Sequence, residues 1–408
     1  MKIVQINSVC GVGSTGRIAV DIAEAAKKRG HLSYVAYGHG KASYPNVYHI
    51  GNRIEHLFHN VFFTRTLGLH GFGSIVTTKL FIRWLNKIQP DIIHIHNIHA
   101  NYINYIILFN YIIKQRIPVV FTLHDCFNFT GKCSHYTSIG CSKWKTECGH
   151  CPIIGKTAAP SLLFDFSSYI YKTKKELYNR LYDCCVIGVS KWLRNEASLS
   201  ILNAPNHTIS YIYNWVDYKV FKPAAKEEKN VFLAKYGLSR NYKYLISVSQ
   251  LWGRGTLRYE DAVSLAHKLP NGYKLLIVGG LGKGMEVDPL ITHIPYTSSQ
   301  AELAIAYSMA EAYVHFSVQD TFGLVIGEAM ACGTIPITYN STACAEVPGG
   351  FGIVVEPRDI NAIVNALPLI EEKKKHSAEM IEYVKANYDK TANTNKYVDV
   401  YEHLINRL

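Results

Sequence analysis

The sequence holds no stretch long and apolar enough to span a bilayer. Its longest nearly apolar run, Tyr102 to Ile113, is interrupted by Asn104 and Asn110 and falls short of the ~20 residues a spanning helix needs. The N-terminus, MKIVQINSVCGVGSTG, has one Lys and no long apolar segment before its glycines. It reads as a strand and a loop rather than a secretion signal, so a cytoplasmic protein is expected. Low-complexity segments and repeats are missing, and 29 Gly and 14 Pro in 408 residues are too few for a fibrous or disordered chain. Acidic residues are scarce in one half only. Residues 1–213 hold 10 Asp+Glu against 23 Lys+Arg, whereas 214–408 hold 21 against 20. The excess positive charge of the first half suits a polyanionic partner: nucleic acid, anionic lipid headgroups or a phosphorylated substrate.

Strand-length apolar runs, each followed by a helical pattern, fall into two series. The first comprises Ile3–Val9, Ser33–Tyr37, Asp91–Asn97, Val119–His124 and Val186–Ser190. The second comprises Tyr244–Gln250, Lys274–Gly280, Ala312–Ser317, Thr334–Tyr339 and Gly352–Glu356. Several are apolar at successive positions, as strands covered on both faces are. Alternating strands and helices predict parallel sheets, and two series predict two doubly wound α/β domains. The break falls near Asn214, giving domains 1–213 and 214–385 and a helical segment 386–408. Residues from Asp359 onward read as helical throughout.

Two loops carry candidate chemistry. After the first strand comes Cys10-Gly-Val-Gly-Ser-Thr-Gly-Arg17, with a helix predicted from near Ile18. Gly11, Gly13 and Gly16 let backbone approach a ligand, Ser14 and Thr15 offer hydroxyls, and a helix N-terminus offers N–H groups to an anion. The glycines fit G-x-G-x-x-G, but the next strand ends in Gly-His-Gly with no acid to hold a ribose. A phosphate-approaching loop is therefore expected, with a plain strand–helix turn as the alternative. The second loop is Val318-Gln-Asp-Thr-Phe-Gly-Leu-Val-Ile-Gly-Glu-Ala-Met-Ala-Cys-Gly-Thr-Ile-Pro-Ile337. Asp320 and Glu328 are eight residues apart, about 12 Å along a helix. That spacing suits a sugar at one end, a ribose at the other, and a diphosphate over the N–H groups of Phe322, Gly323 and Leu324.

Asp320-x7-Glu328 with the following Ala-Met-Ala-Cys-Gly-Thr-Ile-Pro-Ile resembles the E-x7-E region of family 4 retaining glycosyltransferases. The likeness extends over Gly13–Arg17, Asp91–Asn97, Thr122–Asp125, Ser190–Leu193, Asn214–Asp217, Phe221–Pro223 and Ala306–Ala310. The block from Leu123 to Pro152 is similar to a subgroup from colanic-acid, capsule and O-antigen pathways. The resemblance implies a GT-B fold: two Rossmann-like domains facing a cleft, the first for an acceptor and the second for a nucleotide sugar, with C-terminal helices packing back on the first. It implies a hexose-type transfer from a nucleotide sugar, UDP-sugar favoured, to an undecaprenyl-pyrophosphate-type lipid-linked glycan, without a catalytic metal. Glu328 matches the carboxylate on the donor ribose, Asp320 the first Glu, one methylene shorter, and His124 the histidine facing the donor sugar. The family's diphosphate-cradling Arg and Lys fall here on Gln250 and Gly255. Arg254 is the nearest substitute in sequence, with Arg258 and Arg17 behind it.

His94, His96 and His99 lack a carboxylate cluster beyond Asp91 and are assigned to the core or the cleft lining. Cys133, Cys141, Cys148 and Cys151, in a Cys-rich insertion at about 126–152, could make a structural all-thiolate zinc site, with His135 and His150 as substitutes and free thiols as the alternative. Aromatic and basic residues interleave in His56–Arg65, Lys79–Lys87 and Tyr169–Tyr182. These segments suggest reversible docking on the anionic inner face of the cytoplasmic membrane. Two rival readings are a GT-B-fold sugar-nucleotide epimerase or hydrolase, and a basic zinc-knuckle nucleic-acid-binding protein. The second is disfavoured because no RNA motif or recognition helix is present, so no nucleic-acid partner is expected.

Overall fold

The computed structural model describes residues 1–157 and 159–407. Ala158 and Leu408, within the expected first domain and the expected C-terminal helical segment respectively, lie outside them. The described chain divides into two compact units, residues 1–212 with 391–408, and residues 213–390.

The first unit is built on a seven-stranded parallel sheet. Its strands are β1 (Lys2–Val9), β2 (Leu32–His39), β3 (Val47–His49), β4 (Ile92–Ile95), β5 (Val119–Leu123), β6 (Cys184–Gly188) and β7 (His207–Tyr211). Their order is β3-β2-β1-β4-β5-β6-β7, so the chain reverses direction across the sheet between β1 and β4. The second unit has six strands: β8 (Lys243–Trp252), β9 (Tyr273–Leu281), β10 (Ile291–Ile294), β11 (Ala312–His315), β12 (Ile335–Tyr339) and β13 (Ile353–Val355). Their order is β10-β9-β8-β11-β12-β13, with the reversal between β8 and β11. In open α/β sheets, ligands bind at the carboxyl ends of strands beside such reversals.

The central strands β4, β5, β6 and β12 are buried at every position, which is why they read as continuous apolar runs. The long apolar run of the sequence is helix Tyr105–Gln115. Asn104 caps it by accepting from the Ile107 N–H at 3.0 Å, and it buries Tyr105, Leu108, Phe109 and Ile112. Among the described residues no helix is long and apolar enough to cross a membrane.

The tail differs from the continuous helix expected. It forms helices Ile360–Asn365, Leu369–Lys374, Ser377–Asn387 and Lys390–Asn406. The first break falls at Pro368, which has no N–H to donate. Residues 386–390 stay with the second unit, where the Val216 N–H donates to Tyr388 O at 3.0 Å and Tyr218 Oη to Asp389 Oδ2 at 2.7 Å. Helix Lys390–Asn406 packs on the first sheet. Tyr401 Oη and Thr122 Oγ1 flank the buried His94 ring at 2.6 and 2.7 Å, and Arg29 pairs with Asp399 and Glu402.

Candidate active site

In the second unit, β11 ends at His315 and the chain turns through Asp320 into helix Leu324–Ala331. Gly323 precedes the helix at φ +79°, and a Cβ there would meet Ile326 Cδ1 at 2.9 Å. Only glycine takes this corner without strain. No side chain caps the helix start, leaving its first N–H groups oriented for an anion. Phe322 is the buried anchor of the turn, its ring 5.2 Å from that of Tyr388. Glu328 is half-buried one turn into the helix, and Tyr307 Oη donates to its Oε2 at 3.5 Å.

Asp320 is held by a chain the sequence did not reveal. His315 Nε2 lies 2.6 Å from Asp320 Oδ2, and Tyr313 Oη lies 2.8 Å from His315 Nδ1. Thr342 Oγ1 accepts from the Asp320 N–H at 3.2 Å. Burial would raise the Asp320 carboxyl, but the His315 hydrogen bond and charge, with Arg258 nearby, outweigh it and hold the group at about 2. Burial would lower His315, yet Tyr313, Cys344 and the Asp320 carboxylate together raise it well above the usual imidazole range. The pair is therefore imidazolium and carboxylate at neutral pH. His315, Asp320 and Cys344 also bring three ligand atoms within 4.8 Å of one another. Both His315 nitrogens are already engaged, so the group reads as an oriented ion pair rather than a metal cradle.

The cation that acts on Asp320 is not the one nearest in sequence. Arg254 is exposed in the turn before helix Leu257–Lys268 and lies with Tyr259, Val263 and His267. Arg258 donates to Ser249 Oγ at 2.6 Å, at the end of β8, and acts on the Asp320 carboxylate. Side chains in a helix lean toward its N-terminus, which carries Arg258 back over the strand end. Arg258→Ala is expected to lower turnover about a hundred-fold, the scale of losing one charge-stabilising donor. Arg254→Ala should leave turnover near the parent value, and equal effects in steady-state assays would overturn this assignment.

In the first unit the helix after β1 begins at Gly13, not near Ile18, and runs to Lys28. Its start too is uncapped by any side chain. A Cβ on Gly11 would lie 1.8 Å from Ser43 Oγ, and one on Gly16 3.1 Å from Gly11 N, so both positions need glycine for the fold itself. Gly13 and Ser14 are exposed, Thr15 accepts from Asn7 Nδ2 at 3.4 Å, and Arg17 folds back onto Gly13 O at 3.1 Å.

His124 follows β5. Its Nε2 lies 2.9 Å from His96 Nδ1, and His96 Nε2 lies 2.9 Å from Gln5 Oε1. Burial, and to a lesser extent His99, lower His124 to about 4 against the opposing pull of Asp125. It is therefore a neutral imidazole. Asp125 is engaged by His99 Nε2 at 2.8 Å. His94 and His96 are fully buried, His96 within this network and His94 between Tyr401 and Thr122.

The four cysteines expected to hold zinc do not form a group with ligand atoms within 4.8 Å of one another among the described residues. Burial pushes Cys133 up to about 11 and Cys148 up to about 12, and the nearby Cys141 raises each further. The insertion is also fastened by Lys174. Its buried Nζ donates to Phe127 O at 2.7 Å and Thr130 O at 3.0 Å and sits 3.7 Å over the Phe127 ring.

Two family descriptions cover these two units. Glycosyltransferase Family 4 matches residues 15–220, just over half of the chain. Glycosyl transferases group 1 matches residues 226–387. The chain belongs to glycosyltransferase family 4. Over 99% of its length this glycosyltransferase is 23% identical to the whole of Escherichia coli K12 WcaC, a glycosyl transferase named for colanic acid biosynthesis. Its fold matches Anabaena Alr3699/HepE in complex with UDP at a TM-score of 0.68 and 14% identity, covering 99% of this chain and 100% of that one. It also matches sucrose-phosphate synthase from Thermosynechococcus elongatus at 0.67 and 17%, covering 100% of both. The fold is GT-B, two Rossmann-like domains of seven and six parallel strands.

Proposed function

We propose that this glycosyltransferase moves a hexose-type sugar, with retention of configuration, from a UDP-sugar to a lipid-linked glycan of the undecaprenyl-pyrophosphate type in surface polysaccharide assembly. One observation carries the reading. Asp320, the uncapped helix start after Gly323, and Glu328 follow one another at the carboxyl edge of the second sheet, beside its reversal. A sugar, a diphosphate and a ribose need these groups in this order. HepE, of the same fold, carries UDP and UDP-glucose in its crystals, and WcaC bears a polysaccharide-pathway name; both favour the donor and pathway chosen.

In the proposed reaction the bond from the sugar's anomeric carbon to the diphosphate breaks as the acceptor hydroxyl bonds to the same face of that carbon. The departing phosphate oxygen takes the hydroxyl proton. Arg258 and the amides after Gly323 stabilise the charge that develops on the diphosphate. His124, in the first unit, is a neutral imidazole able to donate or accept a hydrogen bond there.

The test is a thermal-shift series with UDP-, GDP- and ADP-sugars, followed by nucleotide release with and without a lipid-linked acceptor. A UDP-sugar at 100 times its Kd should stabilise the fold by about 2.7 kcal/mol, and nucleotide release should require acceptor. Nucleotide release or sugar isomerisation without acceptor would instead establish a hydrolase or epimerase.

A further inference from the structure

Of the three aromatic and basic segments in the first half, two turn inward. Lys79–Lys87 buries Phe81 and Leu85 and sets Trp84 edge-on to Tyr34. Tyr169–Tyr182 buries Ile170, Tyr171, Lys174, Leu177 and Tyr178. The remaining segment does the reverse. Helix Arg53–Phe58 continues into a π-helix, His59–Thr66, whose wider turn brings the rings of Phe58 and Phe62 into a stack 5.2 Å apart at 12°. Both rings are exposed, as are Leu57 at 62% and Ile54 at 83%.

A second exposed run adjoins it. The Leu162 N–H donates to Arg65 O at 2.7 Å, and Leu162 and Leu163 stand 74% and 66% exposed. Val76 extends the surface, since the adjacent Thr77 N–H donates to Glu55 Oε1 at 3.3 Å. Monomeric proteins seldom show contiguous apolar surface of this extent without using it. The helices that carry it also carry exposed Arg53, Arg65, Lys79 and Arg83. Of its acids, Glu55 is turned to Thr77, and Asp165, two residues beyond Leu163, accepts from the Cys151 and Ser167 N–H groups.

We propose that this surface is a docking face for an anionic lipid bilayer, into which Ile54, Leu57, Phe58, Phe62, Leu162 and Leu163 insert. An apolar surface with cations on the same helices is the pattern that gains both burial and headgroup attraction at an interface. The inner side of the same π-helix leads toward the first unit's reactive edge. His59 Nδ1 lies 2.8 Å from Ser74 Oγ, the His59 ring is 5.9 Å from that of His70, and His70 lies 5.0 Å from Phe127, two residues beyond Asp125. Docking would therefore hold His124 and Asp125 close to the membrane that carries a lipid-linked acceptor. In that respect the proposal deepens the reading above.

The experiment reads binding alone, with neither donor nor acceptor present. The full chain is sedimented with vesicles of phosphatidylcholine, with and without phosphatidylglycerol. Binding to the anionic vesicles only, weakened by salt, is expected. Phe58→Asp with Phe62→Asp, and separately Leu162→Asp with Leu163→Asp, should each cut the bound fraction about ten-fold. Both pairs should keep the circular dichroism and the donor-induced thermal shift of the parent. Equal binding to neutral vesicles, unchanged binding by both variants, or variants that instead dissociate a dimer in solution would overturn it. A parent protein that binds vesicles but shows no donor shift would sink the donor reading and leave this surface standing.

Discussion

Glu328→Ala is expected to abolish transfer and to weaken UDP-sugar binding by roughly 10- to 150-fold. This carboxylate is proposed to accept hydrogen bonds from ribose hydroxyls. A hydrogen bond to a charged group contributes about 1.5–3 kcal/mol, and each 1.4 kcal/mol is ten-fold in affinity. Glu328→Gln keeps the shape and the Tyr307 contact, so it should recover the fold's stability without recovering donor affinity. His315→Gln should behave differently. It removes a cation from Asp320 without touching the ribose end, so turnover should fall more than donor affinity. Calorimetry with the donor separates the cases. Unchanged affinity in Glu328→Ala, with a folded protein, would remove the ribose role.

The sequence made the central strands legible because burial on both faces leaves a run of apolar residues that few other elements produce. It did not show β3, β7 and β10. Val47–His49, His207–Tyr211 and Ile291–Ile294 are short, and each lies at a sheet edge with partly exposed positions, so none has the unbroken apolar signature. The glycine corner and the Asp320–Glu328 spacing were readable because both are local. His315 was not found, although Tyr313 and His315 are two apart on one strand and so share a face. Its partner Asp320 comes from the following loop, and only the fold closes that 2.6 Å contact.

The placing of Arg258 beside Asp320 was hidden for a related reason. Distance along the chain ranks Arg254 first, but a turn residue can point anywhere, whereas a residue in the first helical turn leans back over the strand that precedes it. Four thiols close in sequence suggested one ion; the insertion that carries them is made of short turns, leaves them within electrostatic reach of one another and is pinned by Lys174. Among the basic and aromatic segments, periodicity could not separate inward from outward rings, and the Leu162–Leu163 part of the surface carries no basic residues to mark it.

Acid should unfold the first unit before the second. Seven histidines of the first unit are held below the usual value of 6.5, burial being the largest cause at each. His59 is at about 3, His56 and His124 at about 4, His70, His94 and His96 well below, and His207 is lowered as well. As pH falls below 6.5 the unfolded chain takes up protons that the folded unit refuses. The stability these groups allow is therefore complete above 6.5 and lost as pH falls toward 4. Each contributes about 1.4 kcal/mol per pH unit in that window, so several acting together exhaust a typical stability of about 5–15 kcal/mol within one to two pH units. His315 in the second unit has the opposite sign. Its raised value makes its contribution complete below 6.5 and lost only as pH rises through the folded value. Hydrogen exchange read peptide by peptide should show residues 1–212 losing protection between pH 6.5 and 4 while residues 213–390 keep theirs. His70 is the sharpest single probe. It is buried, neither ring nitrogen has a hydrogen-bond partner among the described residues, and it packs against Phe127. His70→Leu removes a group that costs stability at any pH and more in acid, so the variant should melt higher at pH 5 than the parent, by a wider margin than at pH 8. Equal melting temperatures of the parent at pH 5 and pH 8 would show that these imidazoles take up protons without unfolding the unit.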